Sequence, residues 1–216
     1  MLPLHTRALG TQAYAETFAA MQAFTTARDA HTSDEVWLVQ HPPVYTLGRN
    51  AKHGAPAGAI PVVHSDRGGD ITYHGPGQIV LYVLIDLARR GLGVRELVAQ
   101  LEQSVLDLLC DADIDGARRA GAPGVYVDGR KLAALGLRVR RGCSYHGLAL
   151  NVDMDLAPFR AIAPCGYENL DVTQLRDLGI AVDPTTAGAQ LRAHLMRNLG
   201  YNAGAVTGDT AGGLSG

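Results

Sequence analysis

The residues able to do chemistry in this 216-residue chain gather in three places. The first is Arg67-Gly68-Gly69-Asp70-Ile71-Thr72-Tyr73-His74-Gly75-Pro76-Gly77-Gln78, which runs straight into the apolar stretch Gln78 to Leu87. Glycine lets backbone approach a ligand closely and supplies positive-φ turns, while Arg67, Tyr73, His74 and Gln78 add donors and a stacking face. It is not a phosphate loop of the usual kind, since no Gly-Lys-Ser/Thr follows and the glycine spacing misses the dinucleotide pattern. A plain turn-rich loop has the same composition. The second place is Lys131, just past Asp128-Gly129 and at the head of Leu132-Ala133-Ala134-Leu135-Gly136. A lysine there either points, desolvated and with a lowered pKa, into a cleft, or sits at the surface of a strand end. The third is Cys165, set between Pro164 and Gly166 in loop-forming sequence where a thiol can be reached.

The other cysteines read differently. Cys110, in Leu108-Leu109-Cys110, is expected in the core, and Cys143 is expected to be structural. None of the eight histidines forms a helical zinc pair and no cysteine cluster joins them, so no metal site is expected. No Gly-x-Ser-x-Gly elbow occurs, and Ser144 and His146 are too weakly placed to suggest a serine hydrolase.

The elements that must position these residues follow from periodicity. Thr11 to Arg28 reads as a helix with Tyr14, Phe18 and Met21 on one stripe. Glu35 to Gln40, Val44 to Leu47 and Ile60 to His64 read as strands. Gln78 to Leu87 is nearly continuous in apolar residues, as a strand covered on both faces should be. Val94 to Cys110 is an amphipathic helix with Leu97, Leu101, Val105, Leu108 and Leu109 inward. Gly124 to Val127 and Lys131 to Val139 flank Asp128-Gly129, a strong hairpin signal. Ser144 to Val152 gives a further strand, Leu156 to Ile162 a short helix, and Asp183-Pro184 precedes a last amphipathic helix. Strands cluster in the middle with helices around them, so the expected class is α/β (α+β), a mixed β-sheet flanked by helices. One domain over residues 1–202 is expected, with 203–216 as a flexible, frayed tail.

Bulk composition narrows the functional classes. Apolar residues make up 47% and charged residues 19%, with a formal net charge of -2. That balance argues against nucleic-acid binding. Short basic clusters at Arg89-Arg90 and Arg138-Val139-Arg140-Arg141 read as solvated element ends, or as docking patches for an acidic partner. No run of 18 apolar residues occurs and the first residues do not read as a signal peptide, so no membrane span is expected. Three cysteines without a CxxC pair suggest a reducing compartment and a cytoplasmic protein.

Taken together, RGGDITYHGPGQ, GVYVDGRKLAALG and YHGLALNVDMDLAPFRAIAPCG resemble, in that order, the lipoyl/octanoyl transferases, from about His41 to Leu175. The resemblance implies a biotin/lipoate protein ligase-like catalytic domain. It implies Cys165 as nucleophile and Lys131 as its acid–base partner. It places acyl-binding segments at Arg67, Gly68, Gly69, Asp70, Ile71, Thr72, Tyr73 and His74, at Ala134, Leu135 and Gly136, and at Gly147, Leu148 and Ala149. The implied reaction moves an octanoyl or lipoyl group from acyl carrier protein to a lysine of a lipoyl domain, through a cysteine thioester and without ATP or other cofactor. The acyl group arrives on the carrier's phosphopantetheine. Lipoyl domains of 2-oxoacid dehydrogenases and the glycine cleavage H protein are the implied acceptors. The glycine loop is expected to close over the acyl carbonyl with Tyr73 and His74 at that end, and Arg67 or the Arg138–Arg141 cluster to steer the acidic carrier. A monomer is expected. The competing readings are an ATP-dependent lipoate–protein ligase of the same fold, which has no use for Cys165, and a non-catalytic acyl- or carrier-binding module, which has no use for Lys131 and Cys165 together.

Overall fold

The structure, a computed structural model, describes residues 2–51, 54, 56–162 and 171–201, and the backbone of 206–209. Strand β1 (Leu4–Thr11) and helix α1 (Tyr14–Ala27) come first. Strands β2 (Asp34–Gln40), β3 (Val44–Leu47), β4 (Val62–His64), β5 (Ile71–His74) and β6 (Gln78–Leu84) follow. Next are the short α2 (Leu87–Arg90), the long α3 (Val94–Cys110), β7 (Ala117–Arg118), β8 (Gly124–Val127), β9 (Arg130–Arg140) and β10 (Cys143–Asn151). A single turn of helix, α4 (Ala157–Arg160), a 3-10 turn at Leu175–Leu178, α5 (Pro184–Asn198) and β11 (Val206–Asp209) complete the order.

Among the described residues, the main sheet has eight strands in the order β11-β1-β2-β6-β10-β9-β8-β7, and a small sheet has the order β4-β3-β5. The strands β11, β1 and β2 run parallel, and every later pairing in the main sheet is antiparallel. All seven residues of β6 are buried, because the sheet is covered on both sides. Period-2 alternation divides its side chains: Ile79, Leu81 and Val83 enter the large core under α3 and α5, while Val80, Tyr82 and Leu84 face the layer that carries α1. In α3, Leu97, Leu101, Val105, Leu108 and Leu109 are buried, the apolar stripe that a 3.6-residue period predicts. Each such leucine contributes about 1.5–3 kcal/mol of burial.

Three features differ from the sequence expectation. Cys110 is exposed; it lies roughly two and a half turns past Leu101 and so on the opposite face of α3. The sequence around Leu4–Thr11 alternates poorly, yet it is a strand because β2 and β11 pair with it from either side. Val206–Asp209, in the expected tail, supplies that second pairing. Cys143 is buried, and burial raises its thiol pKa, as a structural cysteine requires.

Candidate active site

A trough floored by small residues lies on the α1-side face of the main sheet. In the ladder between β9 and β10, Ala134 stands opposite Ala149 and Gly136 opposite Gly147, so two rungs on one face carry almost no side chain. Val80 and Tyr82 of β6 extend this floor. Leu135 and Leu148 alternate toward the core beneath and border the cavity from there. β5 and the loop before it form the roof. The Gly68 N–H donates to the Leu137 carbonyl at 2.9 Å, which fastens the roof to the edge of β9 that β8 leaves uncovered. A Cβ on Gly136 would come within 3.0 Å of the Gly68 carbonyl oxygen and 3.1 Å of Arg67 Cδ, so the close roof leaves little room for a side chain there. The cavity is about 550 Å³, within the range of small-molecule sites.

Lys131 borders one end of the cavity, with Phe159, Ile162 and Val172. Its backbone is clasped: the Lys131 N–H donates to the Asp171 carbonyl at 2.8 Å, and the Thr173 N–H donates to the Lys131 carbonyl at 2.9 Å. The Lys131 ammonium lies 5.3 Å from the centre of the Tyr126 ring, within cation–π range. The clasp is anchored from inside the cavity. His74 Nδ1–H donates to Gln78 Oε1 at 2.7 Å, Gln78 Nε2 donates to Asn151 Oδ1 at 2.9 Å, and Asn151 Nδ2 donates to the Thr173 carbonyl at 2.9 Å. A buried, satisfied chain of this kind holds its members in one geometry.

Aromatic rings pack along the side of the cavity that faces α1. Tyr14 stacks on His74 at 5.7 Å between centroids, and His41 lies edge-on to both. His41 Nδ1–H donates to the Gln12 carbonyl at 2.7 Å, which leaves Nε2 to accept from the Tyr82 hydroxyl at 2.8 Å. Burial lowers the pKa of His41 to about 4 and of His74 to about 3, and raises that of Tyr82, so all three rings are uncharged at neutral pH. His146 Nε2 lies 2.8 Å from Asp66 Oδ1, and the Tyr145 hydroxyl donates to the same carboxylate. Burial lowers the His146 pKa despite that carboxylate. Burial alone would raise the Asp66 pKa, but the bonds from His146 and Tyr145 outweigh it and the net shift is downward.

Of the residues singled out in sequence, Arg67, Gly68, Gly69, Asp70, Ile71, Thr72, His74, Lys131, Ala134, Leu135, Gly136, Gly147, Leu148 and Ala149 all border this one cavity. Cys165 lies outside the described residues; in sequence it stands three residues past Ile162 and six before Asp171. Tyr73 does not line the cavity. Alternation along β5 sends Thr72 and His74 inward and Tyr73 to the opposite side, against Tyr45 and Phe159. Arg67 does not present a charge to a carrier either. It is 7% exposed, and its guanidinium donates to the Thr46 carbonyl at 2.6 Å and to Thr46 Oγ1. The Gly68–Gly69 roof covers the trough near Gly136, five residues along β9 from Lys131, rather than the lysine end. Tyr14, Tyr82, His146 and Asn151 are lining residues that the sequence reading did not pick out. The signal for His146 and Asn151 was present as polar residues bounding an otherwise apolar strand. Among the described residues, no group of three His, Cys, Asp or Glu side chains is placed to hold a metal. No helix of the described residues is long and apolar enough to cross a membrane.

Comparison with known proteins agrees with this geometry. A family model described as the lipoyl protein ligase A/B catalytic domain matches residues 13–196. An octanoyltransferase of Thiobacillus denitrificans is 65% identical over 176 residues, 81% of each chain. An octanoyltransferase of Dechloromonas aromatica is 56% identical over 200 residues, covering 92% of this chain and 98% of that one. Among solved structures, a lipoate-protein ligase A bound with ATP superposes with a TM-score of 0.78 at 14% identity, covering 94% of this chain and 87% of that chain. A biotin protein ligase from Aquifex aeolicus gives 0.55 at 12% identity, over 91% and 69%. At such identities these structures show a shared fold.

Proposed function

The chain belongs to the lipoyl protein ligase A/B catalytic domain family, and from that membership and its cavity we propose that it is an octanoyltransferase working through a thioester on Cys165. Its octanoyltransferase relatives at 54–65% identity support an acyltransferase that acts in protein lipoylation. The observation that carries the reading for this chain is the trough itself: a narrow, small-residue floor about as long as a medium acyl chain, with Lys131 at its end.

The donor is an octanoyl thioester on the phosphopantetheine of acyl carrier protein. A free thiol with a pKa of about 8.5 is a few per cent thiolate at neutral pH, and a neighbouring ammonium increases that fraction. With Lys131 charged, the Cys165 thiolate attacks the acyl carbonyl. The new carbon–sulfur bond forms as the bond to phosphopantetheine breaks, and the Lys131 ammonium protonates the departing thiolate. In the second half, a lysine amine of a lipoyl domain attacks the Cys165 thioester. The neutral Lys131 amine takes the proton from the attacking nitrogen, and an amide and free Cys165 result. Thioester-for-thioester exchange is nearly balanced and amide formation runs downhill, so the sequence of steps needs no ATP and no cofactor. The setting proposed for it is the cytoplasm.

The competing ligase reading is tested by transfer from octanoyl–acyl carrier protein to a lipoyl domain without nucleotide. The expected result is full transfer without ATP, lost in Cys165→Ser and in Lys131→Ala. Transfer that requires ATP and free octanoate, and that survives Cys165→Ser, would replace this reading with the ligase.

A further inference from the structure

We propose that His146, held by Asp66, is the end wall of the acyl trough and sets the length of chain the enzyme accepts; this rests on the transfer reading above. The strand register orders the trough. From Lys131 it runs through the Ala134–Ala149 rung and the Gly136–Gly147 rung to Leu137 opposite His146. Three strand steps, from Ala134 to Leu137, cover about 10 Å. An extended chain advances about 1.2 Å per bond, as backbone does, so the seven carbon–carbon bonds of an octanoyl group span about 8 Å. A chain whose carbonyl lies on the Lys131 side of the Ala134 rung therefore ends against the His146 ring.

A second cleft, of about 400 Å³, adjoins the cavity; it is bordered by Arg49, Asp66 and Arg138 and shares Gly68 and Leu137 with the cavity. His146 borders the acyl cavity and Asp66 borders the cleft. The 2.8 Å bond between them joins the two sides of the divide. The backbone is shaped for this. His146 has φ 61, a left-handed conformation inside a strand and uncommon for any residue but glycine. Consecutive strand residues normally face opposite ways, yet here Tyr145 and His146 both reach Asp66, and their rings stack at 5.0 Å. Phe18 at 5.3 Å and Tyr82 at 6.2 Å pack the imidazole from other sides. An apolar chain end thus meets a firmly held, uncharged ring, and a longer chain meets it too soon.

The test compares octanoyl– and decanoyl–acyl carrier protein as donors to a lipoyl domain, using the full chain. His146→Ala removes the wall; His146→Asn shortens it with a residue that tolerates the left-handed backbone. Both are expected to raise the decanoyl-to-octanoyl rate ratio by at least about tenfold, the scale on which pockets discriminate methylenes. Ala149→Val, which raises the floor in mid-trough, is expected to move preference toward hexanoyl. Ratios within about twofold of wild type in folded His146→Ala and His146→Asn would overturn the wall. A wild-type protein that transfers neither chain would instead overturn the transfer reading, and the wall with it.

Discussion

The buried histidines give the site a chemical signature that can be measured apart from catalysis. His41 and His74 titrate near 4 and 3 in the folded protein because burial penalises the imidazolium, whereas an unfolded histidine titrates near 6.5. Between those values the unfolded chain binds more protons than the folded one. The stability these residues contribute is therefore complete above pH 6.5 and is lost as pH falls toward 4 and 3, by up to about 1.4 kcal/mol per pH unit for each histidine. Thermal unfolding followed from pH 7 to pH 4 is expected to show a falling Tm. Replacing His74 with Gln is expected to make that slope shallower. An unchanged slope would mean that His74 is not held neutral. Neutral rings also fit an acyl site, since an imidazolium beside an alkyl chain would carry an uncompensated desolvation cost.

At the scale of elements, the site depends on where strands end and turn. Gly77 sits between β5 and β6 with φ 87, and its carbonyl accepts from the Val152 and Asp153 N–H groups at the end of β10. A Cβ there would lie 1.8 Å from the Asp153 carbonyl oxygen. Gly77→Ala therefore combines backbone strain with a backbone collision and is expected to cost about 2–3 kcal/mol or more, read as a lower midpoint in urea unfolding; a midpoint unmoved from wild type would contradict this contact. The neighbouring elements were largely legible in the sequence. The all-apolar β6, the Asp128-Gly129 hairpin and the stripe on α3 announce themselves through period and turn chemistry. So does the alternation that sets Ala134 and Gly136 on one face, although what makes a floor of them with Gly147 and Ala149 is the register that sets the pairs opposite each other, a non-local fact. β5 was hidden inside glycine-rich sequence, and with it the alternation that turns Tyr73 away from the cavity. The inward turn of His146 depends on a left-handed backbone that the alternating pattern of its strand does not announce.

For the molecule as a whole, one buried carboxylate ties α1, α2 and the residues after α5 to the sheet. Asp34, at the start of β2, accepts from Arg28 at 2.5 Å, Arg89 at 2.7 Å, the Asp86 N–H at 2.9 Å and the Tyr201 hydroxyl at 2.8 Å. These partners come from the ends of α1 and β6, from α2, and from the residues after α5. Asp34→Ala leaves a 3%-exposed Arg28 side chain without its carboxylate and is expected to cost about 3–5 kcal/mol. Urea unfolding of that variant checks it, and a loss below about 1 kcal/mol would show the cluster to be dispensable. Within that frame the chemistry proposed above comes down to one step: the acyl group rests on Cys165 before it reaches the acceptor. Intact-protein mass spectrometry after incubation with octanoyl–acyl carrier protein, without ATP and without acceptor, tests it most directly. The expected result is a mass gain of one octanoyl group, removed by hydroxylamine and absent in Cys165→Ala. No adduct on the wild-type protein, or an adduct that persists in Cys165→Ala, would contradict it.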